Sequence, residues 1–235
     1  MIFGHSDGII CKQGVRLELC GVALIFKCNA GQIARRHLEK GQNMRTALIE
    51  RKTKETDISL ELNLDGGEIS IDTGIGFFDH MLNSFATHGG FGLKLRVKGD
   101  LEVDGHHTVE DTGIALGQAF DKILGDKSSI DRFGSFFVPM DEALAFASVD
   151  ISGRPFLSFD ATFPQAQCGG YDCSLTIEFM RAFAVNSQIT LHIKSVYGDN
   201  SHHITEAIYK AVAHALRLAV KQNSSQKPLS TKGVL

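Results

Sequence analysis

Asp104-Gly-His106-His107-Thr-Val-Glu110-Asp111 and Asn200-Ser-His202-His203-Ile-Thr-Glu206 are two copies of one phrase, 96 residues apart (200 − 104). Each sets two adjacent imidazoles one turn ahead of a carboxylate at the start of an amphipathic segment. His106 and Glu110 are four residues apart, as are His202 and Glu206, so on a helix each pair shares a face and can reach one metal ion. His107 and His203 project about 100° away from their neighbours, the rotation per residue of a helix. Members of one doublet are therefore expected to serve different ions, giving at least two metal sites with ligands drawn from both halves of the chain.

The repetition runs further back. Phe78-Asp-His80-Met-Leu-Asn-Ser-Phe85-Ala86 leads into Leu93-Lys-Leu95, and Thr176-Ile-Glu178-Phe-Met-Arg-Ala-Phe183-Ala184 leads into Leu191-His-Ile193 with the same internal spacing. This alignment sets His80 opposite Glu178, both metal-ligand types. The chain reads as an internal duplication in which each half supplies one ligand from a first helix and three from the start of a second.

Hydrophobic periodicity gives each half the same order of elements. Strands are expected at 47–52, 58–64 and 69–71, with Asp65-Gly66 as a hairpin turn. A helix over 77–88, a strand over 94–103 and a helix over 106–124 follow. The second half repeats this with strands near 136–140, 144–150 and 156–159, a helix over 174–185, a strand over 188–196 and a helix over 201–221. The fold class is α+β, two units of a sheet with paired helices on one face. The matched order predicts one pseudo-symmetric body with repeats at 44–130 and 131–235.

Residues 1–43 do not share this patterning. Their apolar run at 19–26 is too short to span a membrane and lacks the small-residue cleavage site of a secretory signal. Glu39-Lys40-Gly41 requires purine-rich codons resembling a bacterial ribosome-binding site just ahead of Met44, so Met44 is the expected biological start. The preceding residues are expected to be poorly ordered and dispensable for activity and assembly.

Composition excludes several classes. A net charge of −3 offers no footprint for nucleic acid, and no apolar run suits a membrane helix. Five cysteines form no paired pattern, and three of them (Cys11, Cys20, Cys28) precede Met44. Reduced thiols in an intracellular, cytoplasmic protein are the plain reading. His192 in a strand and His214 without a neighbouring acid read as ordinary core or surface residues, and the residues alone leave the role of His88 open.

From Arg45 onward the chain resembles the imidazoleglycerol-phosphate dehydratase family. The resemblance rests on Arg51-Lys-Thr-Lys-Glu55-Thr, Gly76-Phe-Phe-Asp-His80-Met-Leu, the two doublet phrases, Asp131-Arg132-Phe-Gly, Asp150-Ile-Ser-Gly-Arg154-Pro and Ser230-Thr231-Lys232-Gly-Val-Leu. It implies duplicated units like the second domain of ribosomal protein S5, two manganese ions (Mn2+) per active site, and a homo-oligomeric cage of 24 subunits built from trimers. It implies His80, His106, His107, Glu110, His202, His203 and Glu206 as metal ligands, with Glu178 at a position where members carry His or Glu. It implies an acid-base role for Glu55, with Asp111 and Glu206 as further catalytic carboxylates. Arg132, Arg154, Lys210, Ser230, Thr231 and Lys232 would hold the substrate phosphate, with Glu55, His80 and His88 also touching substrate.

The implied reaction is a dehydration in histidine biosynthesis, imidazole-glycerol phosphate to imidazole-acetol phosphate. The carbon that loses a proton has no carbonyl beside it, so only the imidazole ring can accept the charge. Two metal ions flanking the ring would favour its imidazolate form. A carboxylate such as Glu55 would take the carbon proton, and Asp111 or a metal-bound water would assist the departing hydroxyl. Two other classes fit part of the pattern. A dinuclear metallohydrolase would explain metals beside a phosphate pocket but usually relies on bridging Asp residues. A metal-storage or sensor protein would show helical-bundle patterning, against the alternating strands, and would have no use for Arg132, Arg154 and Lys232.

Overall fold

The structure, a computed structural model, describes residues 45–224 and 229–231. The expectations for residues 1–43 and the placement of Lys232 lie outside that set. The first unit runs β1 (Thr46–Lys52), β2 (Thr56–Asn63), β3 (Ile69–Asp72), α1 (Gly76–Gly89), β4 (Gly92–Gly99) and α2 (His106–Leu124). The second runs β5 (Phe133–Met140), β6 (Ala143–Asp150), β7 (Phe156–Asp160), a small hairpin of β8 (Gln167–Cys168) and β9 (Tyr171–Asp172), α3 (Leu175–Asn186), β10 (Thr190–Tyr197) and α4 (Ser201–Ala219). Among the described residues no helix is long and apolar enough to cross a membrane.

The two sheets have the same wiring. Their orders are β1-β2-β4-β3 and β5-β6-β10-β7, antiparallel except for the last pair of each, which is parallel. Each parallel pair is joined through a helix, as a parallel connection requires. This corrects the expected hairpin at Asp65-Gly66. β4 pairs with β2 along its whole length, from Thr56 opposite Gly99 to Asn63 opposite Gly92, so that edge is taken. β3 instead lies beyond β4, parallel to it. The turn residues were read correctly as a reversal, but a two-residue turn signal does not say which strand will pair. The β8–β9 hairpin was not expected, because four strand residues around Gly169-Gly170 are too few to show a period.

Alternation decides which face of each sheet is covered. Ile58, Leu60 and Leu62 of β2 are fully buried while Ser59 and Glu61 point outward, and Ala143, Ala145, Ala147 and Val149 do the same in β6. The buried faces carry the helices: α2 lies on β1 and β2, and α4 on β5 and β6. Helices of opposite units also pair, α1 with α4 and α2 with α3, so the two units share one apolar core. Phe85 and Phe183, which occupy matching positions in the two repeats, meet edge to face at 6.2 Å, and Phe120 packs on Phe183 at 5.3 Å. Burying such a ring is worth roughly 2–3 kcal/mol, so this crossing is a main tie between the units.

Small residues set how closely layers approach. A Cβ at Gly134 of β5 would fall 1.9 Å from the carbonyl oxygen of Ala215 in α4. Backbone cannot rotate out of the way as a side chain can, so the strand would have to move off the helix. Gly134→Ala is expected to destabilise by about 3 kcal/mol and to lower the thermal midpoint by roughly 10 °C, measured by circular dichroism. An unchanged midpoint would show that β5 can slide.

Candidate metal centre and anion cluster

His80, His202 and Glu206 come together where α1 and α4 run side by side. One ligand atom from each lies within 4.8 Å of the others, the one such group of three or more His, Cys, Asp or Glu among the described residues. His80 belongs to the first repeat and the other two to the second. Glu206 is buried, with its Oε2 3.4 Å from His202 Nε2 and 3.7 Å from His80 Nε2. Its Oε1 accepts a hydrogen bond from Lys210 Nζ at 2.7 Å. Burial would raise the Glu206 carboxyl, but the Lys210 hydrogen bond and charge, with His80 and His202, hold it below the ordinary value. It is therefore an anion at neutral pH, as a metal ligand must be.

The doublets diverge as the helix rotation requires. The rings of His202 and His203 are 5.9 Å apart at 75°, and those of His106 and His107 6.2 Å apart at 88°. His203 Nδ1 lies 2.6 Å from Glu142 Oε2, and His107 Nδ1 lies 3.0 Å from Asp100 Oδ2. A carboxylate on Nδ1 orients the ring and makes Nε2 more basic, the arrangement by which proteins position a metal-binding imidazole; His203 Nε2 itself faces Asp141 Oδ2 at 3.6 Å. The Glu142 hydrogen bond raises the proton affinity of His203, while Glu142 itself is lowered to about 2 by the same bond. Asp100 likewise raises His107. Protons compete with a metal for either Nε2, so binding should weaken as pH falls.

Sequence reasoning missed Asp100 and Glu142. Each is a single acid at a turn, Asp100 just past β4 and Glu142 between β5 and β6, and a lone acid at a turn carries no signal of what it faces. Glu142→Gln should keep the fold and lower metal affinity by about 10- to 100-fold, the usual worth of such a partner. Titration of metal-stripped protein would measure it, and wild-type affinity would remove Glu142 from the site.

The pseudo-equivalent seam of α2 and α3 is less closed. His106 Nε2 lies 3.5 Å from Glu110 Oε2, but Glu178 of α3 pairs with Arg181 on its own helix. Within the described chain, Glu178, His106 and Glu110 do not form a gathered group of the kind formed by His80, His202 and Glu206. The N-terminal ends of α1, α2 and α3 meet around a cavity of about 570 Å³ lined by Gly76, Asp104, His106, Asp172 and Ser174.

Glu55 sits in the loop between β1 and β2, exposed, with its backbone N–H bonded to Thr53 Oγ1. The Thr53 hydroxyl holds its carboxyl below the ordinary value, and the His107 charge adds to this, so it is an ionised base near the His107 group. Asp111 is placed differently. Its Oδ1 receives Arg51 Nη2 at 2.9 Å and its Oδ2 receives Thr56 Oγ1 at 2.5 Å. With both oxygens engaged and the side chain nearly buried, Asp111 braces α2 against β1 and β2.

The expected anion-binding residues gather at the far end of α4. Arg132 is nearly buried with φ of 69°, an uncommon conformation for a residue with a Cβ. Its backbone N–H bonds the Ala219 carbonyl at 2.9 Å. Its guanidinium holds Asp150 through Nε at 2.7 Å and Nη2 at 3.1 Å, and Nη1 donates to the Leu229 carbonyl, the residue before Ser230 and Thr231. Arg154 Nη2 reaches the same Asp150 at 3.6 Å. Two guanidiniums share one carboxylate, leaving a net positive charge beside the tail. Lys210 is not in this cluster, being held by Glu206. His88 Nδ1 lies 3.1 Å from His214 Nε2, a pairing that linear spacing could not reveal.

Two matching sheet–helix units with a His–carboxylate group at their shared helix seam define a duplicated α+β protein equipped to hold metal. The family model for imidazoleglycerol-phosphate dehydratase matches residues 73–216. The imidazoleglycerol-phosphate dehydratase of Thermoanaerobacter pseudethanolicus is 57% identical over 194 residues, 82% of this chain and 100% of its own, and that of Acetivibrio thermocellus is 54% identical over 189 residues, 80% and 97%. Crystal structures of the enzymes from Staphylococcus aureus and Pyrococcus furiosus superpose with TM-scores of 0.70 each, at 38% and 40% identity, covering 76% and 80% of this chain and 99% and 100% of theirs. The chain belongs to the imidazoleglycerol-phosphate dehydratase family.

Proposed function

We propose that the chain dehydrates imidazole-glycerol phosphate to imidazole-acetol phosphate in histidine biosynthesis, as a cytoplasmic, manganese-dependent homo-oligomer. Family membership over nearly the whole of the matched relatives supports the reaction. The observation that carries the metal reading is the group of His80, His202 and Glu206, with His203 and His107 each oriented by a carboxylate.

The donor set fits a divalent ion of intermediate softness. Imidazoles with carboxylates suit manganese, although zinc or copper would bind more tightly on intrinsic affinity. His80, His202 and Glu206 would hold one ion. His203 and His107 would each present Nε2 to another, and His106, Glu110 and Glu178 would complete the set. When bound, the metal would act as a Lewis acid toward the substrate's imidazole ring and orient it. Glu55, ionised and next to His107, would take the proton from the carbon. Arg132, Arg154 and the residues Ser230, Thr231 and Lys232 would anchor the phosphate, while His88 would contact substrate beyond the metal group.

The position of that anchor bears on assembly. Arg132 is bonded to Ala219, and His202 lies 17 residues earlier on the same helix (219 − 202), a distance of about 25 Å at 1.5 Å per residue. A substrate of a three-carbon chain between ring and phosphate cannot reach both ends. This separation supports sites shared between copies, with the ring held by one chain and the phosphate by its neighbour, in a cage of 24 subunits built from trimers. The repeats at 44–130 and 131–235 would then act as one body.

The test is a product assay with the manganese-loaded protein. A keto product without release of inorganic phosphate is expected, and release of phosphate would favour a dinuclear hydrolase. Metal analysis should find two manganese ions per chain. One ion or fewer, or both members of a doublet on one ion, would overturn the ligand assignment.

A further inference from the structure

The β8–β9 hairpin has no counterpart in the first repeat, and it holds a feature the proposed reaction does not use. Cys168 Sγ and Cys173 Sγ lie 3.5 Å apart, at contact distance, with both thiols free. Cys168 is half-buried and reachable, while Cys173 is buried. A disulfide needs about 2.05 Å between sulfurs, so the two sulfurs must approach by about 1.5 Å. Gly169 and Gly170 form the turn of the hairpin, and nothing lies within 4 Å of where a Cβ would stand on either, so there is room for the shift.

The hairpin also touches both helix seams. Tyr171, between the two thiols in sequence and fully buried, packs on Phe77 at 5.3 Å and stacks on Phe78 at 6.0 Å. Its hydroxyl lies 3.1 Å from Thr176 Oγ1. Phe77 in turn meets the ring of His202 edge-on at 5.0 Å. On the other side, Gln167, Gly170 and Asp172 line the cavity that contains His106.

We propose that Cys168 and Cys173 are a reversible oxidation site that forms an intramolecular disulfide with a small-molecule disulfide as oxidant, and that closing it shifts Tyr171 against Phe77 and so disturbs His202. The exchange balances in two steps. The Cys168 thiolate attacks one sulfur of the oxidant, giving a mixed disulfide and one thiolate, which takes up the proton Cys168 released. Cys173 then loses its proton and attacks Cys168 Sγ, releasing the second small thiol. Two protein thiols are oxidised and one disulfide is reduced to two thiols. Burial and the neighbouring Cys168 push the Cys173 thiol up to about 12, so the second step is the slow one and quickens as pH rises.

The experiment incubates the full-length manganese-loaded protein with oxidised glutathione and maps its peptides by mass. The peptide containing both cysteines should lose two hydrogens, and dithiothreitol should restore it. The chain has no Trp and three Tyr, so tyrosine emission and near-ultraviolet circular dichroism report on Tyr171. Both should change on oxidation of the wild type, and neither in Cys168→Ser or Cys173→Ser. Activity should fall by about fivefold or more, the lower range of measured couplings between sites, and return on reduction. A stable glutathione adduct on Cys168, or two unreacted thiols, would overturn the site. A formed link with unchanged tyrosine signal and activity would overturn its coupling to His202. The mass and tyrosine readings need no substrate, so they stand apart from the reading of the reaction.

Discussion

Glu55→Gln is expected to lower turnover by a factor of about 10² or more, the usual worth of a positioned general base. The substitution keeps the shape of the side chain and removes its capacity to accept a proton. Glu55 is exposed in a loop, and its carboxyl accepts from the local Thr53 hydroxyl and from its own backbone N–H, both contacts within the loop itself. Metal content, measured on the purified protein, and thermal midpoint should both match wild type. Loss of metal together with activity would mean that Glu55 supports the His107 group instead of the carbon proton. Retained turnover would move the base elsewhere, with Asp111 or Glu206 next in line. Asp111 is the less suited by position, because Arg51 and Thr56 occupy both its oxygens.

Removal of residues 229–235 is expected to raise KM by about 10² or more, with manganese still bound. The truncation deletes Ser230, Thr231 and Lys232 together and takes away the Leu229 carbonyl that Arg132 holds. Hydrogen bonds to a charged group contribute about 1.5–3 kcal/mol each, so losing two from a phosphate gives that range. Turnover at saturating substrate should fall less, since the His80 group lies at the other end of α4. In the proposed reading the tail would close over the bound phosphate as a lid, and substrate-dependent protection of it from proteolysis would test this directly. Unaltered substrate affinity in the truncated protein would show that Arg132 and Arg154 suffice or that the phosphate sits elsewhere.

Most elements were legible because their apolar residues recur with a clear period. β2 alternates over its eight residues, and α4 carries its apolar face through five turns, so both stood out. Boundaries were less so. The strand expected to run to Val103 stops at Gly99, and Asp100 turns back with its backbone carbonyl accepting from Val103 N–H. The residues beyond Gly99 were extended in the sequence reading because Leu101 and Val103 alternate, although both are exposed. The pairing of β3 was misread for a different reason: strand order depends on which edge remains open after β2 and β4 have paired.

The sequence by itself determined the duplication, the identity of the ligand-type residues and the divergence of each doublet, because helix rotation makes neighbouring side chains part at a set angle whatever surrounds them. Tertiary structure alone decided how residues distant in the chain meet. It put His80 beside His202 and Glu206, set Asp100 and Glu142 behind His107 and His203, engaged Asp111 with Arg51 and Thr56, and separated Arg132 from the metal group by most of the length of α4. These pairings follow from how two sheets and four helices pack against one another, and packing is governed by the summed shape of many side chains, which no local spacing encodes.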